Sequence, residues 1–286
     1  MSVHSITSSY SRLGYSYRNL SSLKISLSRS PLYNRFSAIA RLLHTPSKLS
    51  SMDLQIPADD SSKLRVTSHH QYQSPSRLSP TSVLPDPLDQ FREWFKAASA
   101  PSEVDNSKSV VHEPEAMAIS TCSPSGVPST RFVLLKQADS KGFVFYTNYT
   151  SRKSKELLAN PFASIAFYWR EVHRQVRVVG RVEQVDTQES DEYFASRPLG
   201  SRMGAWASPQ STVVQEGEMA NRLAEVEKRF GGSDDEVPRP EFWGGWRIVP
   251  QEIEFWQGQP SRLHDRVRYL RATEPNEGWT INRLAP

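Results

Sequence analysis

Apolar and polar residues alternate in short segments over most of the chain, and this pattern predicts a protein that is mainly β. Between Met117 and Leu284, runs rich in β-branched and aromatic residues are separated by turn residues, which is typical of strands. The predicted strands cover 117–122, 131–137, 143–147, 162–169, 175–185, 245–249, 252–256, 266–270 and 279–284. So many short strands with few helices between them favour an antiparallel barrel over a doubly wound sheet.

Helical signals precede and interrupt these strands. An aspartate–proline pair at 86–87 places an N-cap residue before a proline that suits a first turn, and apolar residues then recur at helical spacing. A second helix is predicted over 151–160, where the following proline ends it. Asp186 and Glu189 form a capping-box pattern for a third helix, and a fourth is predicted over 219–230, before two glycines.

Charge divides the chain into unequal parts. Residues 1–52 contain seven basic residues and no Asp or Glu, so all 31 acidic residues lie further on, against 28 basic ones (35 less 7), a balance of −3. An acid-free leader of this kind is typical of organelle presequences, and 35–43 fit a short basic amphipathic helix. We therefore predict a mitochondrial targeting leader over 1–52. Initiation at Met52 would instead give a leaderless, cytoplasmic product.

Composition also predicts where the folded domain begins and which classes of protein are excluded. Residues 53–85 are polar and rich in Pro and Ser, which predicts a flexible arm, and the folded domain is expected over 86–286. A single cysteine, Cys122, excludes an intramolecular disulfide and is interpreted as a small buried strand residue. The histidines lack metal-ligand spacing, and no apolar run reaches the roughly 18 residues that span a bilayer. The acidic balance beyond the leader disfavours nucleic-acid binding.

Two segments carry groups suited to binding phosphate. Arg152 and Lys153 open the second predicted helix, where two cations oppose the helix dipole unless an anion lies there. Tyr193 and Arg197 are four residues apart on one helix face, and Ser201 follows. A phenol, a guanidinium and a hydroxyl are suitable phosphate donors. A solvated basic helix end, and a packed tyrosine beside a solvated arginine, are the alternatives for these two segments.

Further polar groups lie on the predicted strands. Arg131 and Lys136 bracket an apolar strand and, being five apart, should point to opposite faces, one toward a cofactor and the other toward a second ligand. The segment 256–266 concentrates Trp, Arg, His and Asp around a tight turn. Adjacent strand residues point in opposite directions, so His264 and Asp265 are not expected to form a catalytic dyad. A Ser-His-Asp hydrolase is not supported, since the chain has no GxSxG motif.

Several strings in the same order resemble the pyridoxamine 5'-phosphate oxidase family. They are RFVLLK (131–136), FYTN (145–148), SRK (151–153), NPFASIAFYW (160–169), RQVRVVG (174–180), YFASRP (193–198), FWGG (242–245), EFWQGQPSRLHDR (254–266) and the closing RLAP (283–286). The resemblance spans about Asp86 to Pro286, and the string at 254–266 is highly specific. It implies an FMN-binding split β-barrel with flanking helices, acting as a homodimer with two active sites at the subunit interface.

The resemblance also assigns site residues, position by position. FMN binding falls to Arg131, Phe132, Val133, Leu134, Leu135, Lys136, Tyr146, Thr147, Arg152, Lys153, Gln175, Gln210, Ser211, Trp256 and Arg266. Substrate binding falls to Lys136, Tyr193, Arg197, Ser201, Arg262, Leu263 and His264, of which Arg262 and His264 are the catalytic pair. No metal is implied.

The implied reaction oxidises pyridoxine 5'-phosphate and pyridoxamine 5'-phosphate to pyridoxal 5'-phosphate. A hydride passes from C4' of the substrate to N5 of FMN, dioxygen is reduced to hydrogen peroxide, and the amine substrate releases ammonia. The chain departs from the family at Arg202, where a small polar or amide side chain is more usual. In the family an Arg and a Tyr of the N-terminal arm cover the substrate, and Arg65 and Tyr72 are the nearest candidates here.

Three alternatives remain open at this point. A split-barrel flavin reductase would share the fold, but the group at Tyr193, Arg197 and Ser201 and the string RLHDR favour a phosphorylated pyridine. A non-catalytic carrier of FMN or pyridoxal phosphate would differ only in lacking turnover with oxygen. A nucleic-acid-binding barrel with aromatic strands would need a basic surface, which the balance of −3 disfavours.

Overall fold

The computed structural model describes residues 71–105, 107–231, 237–272 and 278–286, all within a compact unit that spans 69–286. The strands are β1 (Ala116–Cys122), β2 (Pro128–Leu134), β3 (Gln137–Ala138), β4 (Phe143–Asn148), β5 (Phe162–Trp169), β6 (Arg174–Gln184), β7 (Trp243–Gln257), β8 (Asp265–Arg271) and β9 (Trp279–Leu284). The helices are α1 (Pro87–Ser99), α2 (Arg152–Ala159), α3 (Thr187–Ala195), α4 (Leu199–Ala207) and α5 (Glu218–Phe230). The prediction of a mainly β chain with flanking helices is confirmed; α4 was not predicted.

The described strands form one antiparallel sheet in the order β2-β1-β5-β6-β7-β4-β3, with β8 on β7 and β9 on β8. The separate strands predicted at 245–249 and 252–256 are wrong, because β7 runs through both as one strand of fifteen residues. Its first part, Trp243–Ile248, pairs with β4, and its second part, Glu252–Gln257, pairs with β8.

Pro250 interrupts the apolar pattern of β7 without ending the strand. The register of β6 against β7 shifts beside Gly180, which pairs with Pro250. A Cβ on Gly180 would lie 2.2 Å from the carbonyl oxygen of Val249, so only glycine allows this close approach. A bulge therefore accommodates the proline, which has no backbone N–H to donate.

The sheet curls around an apolar core closed by α1. The Asp86 side chain accepts hydrogen bonds from the first-turn backbone N–H groups of α1, and Pro87 is the first helical residue, as predicted. The ring of Phe91 lies 4.9 Å from that of Phe143 and 5.2 Å from that of Phe167, and all three side chains are fully buried. A smaller apolar cluster lies beside α3 and the start of β7, and it forms one wall of the site described below.

Residues 71–85 belong to the segment predicted as a flexible arm, and they contact the sheet. Leu78 is 5% exposed, and its backbone N–H donates to the carboxylate of Asp265. That fully buried carboxylate also accepts from Arg77 and Arg283. Burial alone would raise the pKa of Asp265, but these partners lower it. The boundaries at 52 and 85 remain predictions, and 1–70 lie outside the described residues.

Three smaller sequence predictions can be compared with the structure. Cys122, expected to be buried, is half-buried at the end of β1. The capping box at the third predicted helix is confirmed on its N-cap side, since the Asp186 side chain accepts from the backbone N–H of Glu189. Among the described residues, every helix is too short or too polar to cross a bilayer.

Candidate active site

A cavity of about 310 Å³ lies between β2, β4, α2, α3 and the start of β7. Its lining comprises Arg131, Phe132, Val133, Leu134, Lys136, Tyr146, Thr147, Lys153, Tyr193, Arg197, Gln210 and Trp243. Four of these side chains are basic and none is a carboxylate. A cavity of this kind, which we call the cationic pocket, is suited to binding an anion with more than one phosphate-like group.

Lys153 is a buried cation of the cationic pocket, and its pKa is strongly lowered. It lies in the first turn of α2, which is capped by Ser151, and it is 7% exposed. Its Nζ donates to Thr147 Oγ1 at 3.0 Å and to Gln210 Oε1 at 2.7 Å, and both are neutral groups. Burial, followed by the charge of Arg131, lowers the pKa of Lys153 to about 8. A buried ammonium that contacts only neutral acceptors gains stability when an anion binds.

Glu156, one turn further along α2, holds the neighbouring arginines. Its carboxylate accepts from Arg152 Nε at 2.8 Å and lies 3.6 Å from Arg131 Nη2. Burial alone would raise the pKa of Glu156, but hydrogen bonds from Ser129, Thr121 and Arg152 lower it to about 2. Arg131 and Arg152 therefore share this carboxylate, whereas the hydrogen bonds of Lys153 go to neutral acceptors.

The other end of the cationic pocket is aromatic. The ring of Tyr146 stacks on Tyr193 at 3.9 Å and lies 5.5 Å from Trp243. The guanidinium of Arg197 lies over Trp243 at 4.6 Å, and its Nη1 is buried without a hydrogen-bond partner among the described residues. Burial lowers the pKa of Arg197 and raises that of Tyr193, so both groups are partly removed from water. An arginine held flat against an aromatic ring with a free N–H is suited to binding a phosphate.

The cationic pocket is lined by most of the residues predicted to bind FMN, and by Tyr193 and Arg197. The predicted opposition of Arg131 and Lys136 is wrong, because both line the cationic pocket. The strand alternation does not extend to Lys136, since β2 ends at Leu134. Leu135 turns into the apolar core instead.

Three further predicted residues, Arg152, Ser201 and Ser211, lie near the cationic pocket in the chain but outside its lining. Arg152 and Ser211 line an adjacent cleft of about 350 Å³, together with Glu156. Ser201 is exposed on α4. The predicted convergence of Ser201 with Tyr193 and Arg197 is therefore not seen within one chain.

The remaining predicted residues form a second group, at the far end of β7. Gln175 on β6 pairs with Trp256 on β7, which pairs with Arg266 on β8. The carboxylate of Glu254 holds Arg266 through two hydrogen bonds, of 2.6 and 3.1 Å. The ring of Trp256 lies 4.7 Å from that of His264. We call these residues, with Tyr72, Arg262 and Leu263, the β7-end group.

Tyr72 covers the β7-end group from the N-terminal side. Its ring lies 5.2 Å from Trp256 and 5.5 Å from His264, in edge-on contact with both. A Cβ on Gly258 would lie 2.5 Å from the Tyr72 ring, so the glycine allows this packing. Arg65, its predicted companion, lies outside the described residues.

The turn before β8 fixes the predicted catalytic pair. Ser261 and Arg262 both have positive φ, 57° and 61°, a costly conformation that clusters at functional sites. Nδ1 of His264 accepts from the backbone N–H of Gln259 at 3.1 Å, and burial, then the charge of Arg262, lowers its pKa. Nδ1 of His264 is thus occupied as an acceptor and Nε2 is the nitrogen left to contact a ligand. Asp265 is engaged elsewhere, as the rejection of a dyad predicts.

The two groups lie at opposite ends of one strand. Trp243 opens β7 at the cationic pocket, and Trp256 lies thirteen residues further on, a path of roughly 40 Å along the strand at about 3.3 Å per residue. The predicted cofactor and substrate residues are thus divided between two places in the chain.

Sequence reasoning missed Trp243 and Glu156 as site residues. The string FWGG at 242–245 was noted only for its resemblance, although an aromatic pair before two glycines is a signal for close packing. Glu156 follows Arg152 at i+4, the spacing of a helical ion pair, and that spacing was not used. Among the described residues no cluster of His, Cys, Asp or Glu suits a metal ion.

Comparison with known proteins identifies the relatives of this chain. The family model described as pyridoxamine 5'-phosphate oxidase matches 104–230, and that of the pyridoxine 5'-phosphate oxidase C-terminal dimerisation region matches 243–286. A pyridoxine/pyridoxamine 5'-phosphate oxidase of Bordetella petrii is 50% identical over 223 residues, covering 78% of this chain and all of that protein. One from Burkholderia mallei is 51% identical over 214 residues, 74% of this chain and 95% of the relative.

A solved structure shows the same architecture. PhzG from Burkholderia lata 383, in complex with tetrahydrophenazine-1-carboxylic acid, has a TM-score of 0.66 and 28% identity, covering 74% of this chain and 99% of PhzG. The predicted split-barrel fold is thereby confirmed.

These relatives contradict one sequence prediction. The mitochondrial localisation predicted from 1–52 is wrong by this comparison, because the relatives are proteins of bacteria, which have no mitochondria. The composition of a leader is a weak signal, since basic, acid-free segments also arise without a targeting role. Residues 1–52 lie outside the described residues.

The fold, the cationic pocket and the relatives agree on one assignment. A buried lysine and three arginine or lysine neighbours without a lining carboxylate fit the phosphate of a flavin mononucleotide. Family membership makes FMN the cofactor, as the resemblance implied, and gives the chain the family's C-terminal dimerisation region. The chain belongs to the pyridoxine/pyridoxamine 5'-phosphate oxidase family.

Proposed function

We propose that the chain oxidises pyridoxine 5'-phosphate and pyridoxamine 5'-phosphate to pyridoxal 5'-phosphate, with FMN as cofactor and dioxygen reduced to hydrogen peroxide. The observation that carries this proposal is the cationic pocket, which has a buried ammonium at one end and an arginine on an aromatic wall at the other. Two separate anion-binding ends suit a phosphorylated cofactor beside a phosphorylated substrate. The 50% identity to a pyridoxine/pyridoxamine 5'-phosphate oxidase over its whole length supports the same reaction.

The two ends would hold different phosphates. Lys153, with Arg131 beside it and Arg152 and Ser211 in the adjacent cleft, would bind the FMN phosphate. Tyr193 and Arg197 would bind the substrate phosphate, since each offers a donor at the aromatic end. FMN supplies the hydride acceptor and the later reaction with dioxygen.

The β7-end group would complete the site from a second copy of the chain. The residues Trp256, Arg262, His264 and Arg266 all lie within the region matched by the C-terminal dimerisation model. They lie at the far end of β7 from the cationic pocket, so we propose that each site combines the cationic pocket of one protomer with the β7-end group of its partner. A two-fold dimer then contains two equivalent sites.

The β7-end group would orient the substrate rather than act as a strong base. With its Nδ1 accepting from the backbone N–H of Gln259, His264 would carry a proton on Nε2 and would donate it in a hydrogen bond to an oxygen or nitrogen of the substrate. Arg262 supplies a fixed positive charge beside it and stabilises negative charge that develops on that atom. Tyr72 covers the group and excludes water from it.

The direct test uses the purified full-length protein loaded with FMN. Oxygen consumption, peroxide release and formation of pyridoxal 5'-phosphate should occur in equal amounts with pyridoxine 5'-phosphate. With the amine substrate, ammonia should appear in the same amount. Flavin binding without turnover of either compound would reject the proposal and favour a carrier.

The likeness to PhzG raises a second candidate, oxidation of a reduced phenazine carboxylate. The observation in its favour is the TM-score of 0.66 to a complex with such a compound. A carboxylate-bearing tricycle has no phosphate, so it would not require Arg197 and Tyr193 as a phosphate end. Comparing turnover of tetrahydrophenazine-1-carboxylic acid with that of pyridoxine 5'-phosphate distinguishes the two, and we expect turnover of the phosphorylated pyridine alone.

A further inference from the structure

Three consecutive residues in the first half of α3, Glu189, Ser190 and Asp191, form hydrogen bonds with β7 and with the segment before it. Glu189 accepts from Arg247 Nη2 at 3.3 and 3.2 Å. The hydroxyl of Ser190 accepts from the backbone N–H of Gly245 at 3.3 Å. Asp191 accepts from Arg239 Nε at 2.6 Å, and Nη1 of Arg239 donates to the carbonyl of Trp243, also at 2.6 Å. We call this set of contacts the α3 clamp.

Arg247 is the buried centre of the α3 clamp. It is 5% exposed, and its Nη1 donates to both oxygens of Asp139, at 2.7 and 2.6 Å. Its other terminal nitrogen is the one bound to Glu189. One guanidinium therefore joins the β3–β4 turn, β7 and α3. It places a positive charge against the carboxylates of Asp139 and Glu189, and that of Glu183 lies 3.9 Å from its Nε.

The clamp lies on the same helical stripe as the substrate-phosphate end. Glu189, Tyr193 and Arg197 are spaced four residues apart, and residues at that spacing share one face of a helix. Ser196 continues the helical conformation between the last two. Glu189 and Arg197 are eight residues apart, about 12 Å of helical rise at about 1.5 Å per residue. Charges this far apart are largely screened in water, so the clamp acts on Arg197 by holding α3 in place.

The clamp also sets where Trp243 lies relative to α3. The backbone of Trp243 is held by Arg239, and its ring lies 5.0 Å from Phe194 on α3 and under the guanidinium of Arg197. A shift of α3 against β7 would therefore separate Arg197 from the ring that orients it. The clamp would thus influence phosphate binding by Arg197 without itself contacting the ligand.

We propose that Arg247 and Arg239 are positioning residues for the substrate phosphate. They hold α3 against β7, Arg247 through its hydrogen bonds to Glu189 and Arg239 through its ion pair with Asp191. This inference rests on the proposed function, because it names what the positioned Arg197 binds. Lys153, in the first turn of α2, has no hydrogen bond or ion pair with Arg239 or Arg247 among the described residues, so FMN is expected to keep its affinity when the clamp is broken.

Steady-state kinetics of Arg239→Met and Arg247→Met test the positioning role. We expect the KM for pyridoxine 5'-phosphate to rise roughly five- to tenfold, part of the loss for a complete charge-assisted bond, with kcat within twofold of wild type. The kcat/KM for unphosphorylated pyridoxine and the Kd for FMN should not change. Arg247→Lys should recover part of the KM, since the ammonium keeps a charge beside Glu189. Arg222→Met, which removes an exposed ion pair on α5, is the matched control.

Hydrogen exchange of the same proteins tests the clamp independently of turnover. Amides of α3 should exchange at least tenfold faster in both variants, while those of α2 stay at the wild-type rate. Arg239 pairs with an exposed carboxylate, so Arg239→Met should fold even if Arg247→Met does not. Unchanged exchange in α3 would show that no clamp exists. Faster exchange with an unchanged preference for the phosphorylated substrate would reject the positioning role.

A wild-type protein that binds FMN but does not oxidise pyridoxine 5'-phosphate would reject the proposed function instead. In that case the exchange rates of α3 still decide whether Arg239 and Arg247 hold the helix. The two failures are therefore distinguishable.

Discussion

Substitution of Lys153 is the most direct test of how the cationic pocket is built. The buried ammonium should lower the stability of the apoprotein and raise its affinity for FMN. In Lys153→Met the buried ammonium is replaced by an apolar side chain of similar length. We expect the apoprotein to become more stable and FMN binding to become weaker. If Lys153 had a purely structural role, its substitution would lower both the stability of the apoprotein and the affinity for FMN, or neither.

The size of the stability gain follows from the pKa. The difference between an ordinary pKa of 10.5 and about 8 corresponds to roughly 3 kcal/mol against the charged form before screening. Water at the mouth of the cavity screens part of this. Met removes the Lys153 donor from Thr147 and Gln210, although Thr147 Oγ1 still donates to Gln210 Oε1, and this loss costs about 1 kcal/mol. A net gain of about 1 kcal/mol remains, which raises the Tm by about 2–4 °C for a domain of this size.

The pH dependence has a definite sign. The folded-state pKa of Lys153 is depressed, so below pH 8 the lysine is charged in both states and the folded protein carries the full cost. Between about pH 8 and 10.5 the unfolded chain binds the extra proton, so wild-type stability rises with pH relative to the variant. The Tm advantage of Lys153→Met should be greatest near pH 7 and shrink above pH 8.

Thermal unfolding of FMN-free protein, followed by circular dichroism at pH 7 and pH 9, measures the gain. Lys96→Met, on the exposed face of α1, is the matched control and should change Tm by less than about 1 °C. With FMN bound, wild type should have the higher Tm. The variant loses a charge-assisted hydrogen bond of about 1.5–3 kcal/mol, which weakens FMN binding by roughly ten- to 150-fold. If FMN-free Lys153→Met had a lower Tm than FMN-free wild type at pH 7, the view that Lys153 destabilises the apoprotein and serves to bind an anion would be refuted.

Three further outcomes are expected. Arg197→Met should raise the KM for pyridoxine 5'-phosphate by roughly ten- to 150-fold while FMN affinity, measured by fluorescence quenching, stays constant; loss of flavin with an unchanged KM would reverse the assignment of the two ends. The FMN affinity of the wild type should fall as pH rises through about 8, where apoprotein Lys153 loses its proton, and the same titration with Lys153→Met should be flat. Co-expressed Arg197→Met and His264→Asn chains should regain about a quarter of wild-type activity, because half of the dimers are mixed and each contains one intact site; no recovery would show that one chain supplies both groups.

Local interactions explain what could be predicted from the sequence. The Asp86-Pro87 start of α1 and the N-cap at Asp186 depend on residues within one turn of each other, and strands such as Phe162–Trp169 depend on the pleat of neighbouring positions. The order of the family strings along the chain then sufficed to assign the family and FMN. These features need no knowledge of which segments meet in space.

Only the tertiary structure decided how the assigned residues are distributed. It placed Arg131 and Lys136 in one cavity, because β2 ends before the alternation reaches Lys136, and it added Trp243, whose role depends on stacking against Arg197. It joined two predicted strands into β7, because Gly180 on the neighbouring strand leaves room for Pro250.

The same long strand separates the cationic pocket from the β7-end group, although the sequence offers both as parts of one site. Separation in sequence says nothing about distance in the fold. Strand pairing joins Phe143 to Ile248, and side-chain hydrogen bonds join Thr147 to Gln210 and Arg77 to Asp265. A site whose halves lie at the two ends of one strand becomes visible only once the strand is seen to be continuous. The physical reason is that short-range propensities act through neighbouring residues, whereas pocket geometry and burial arise from contacts that exist only in the folded sheet.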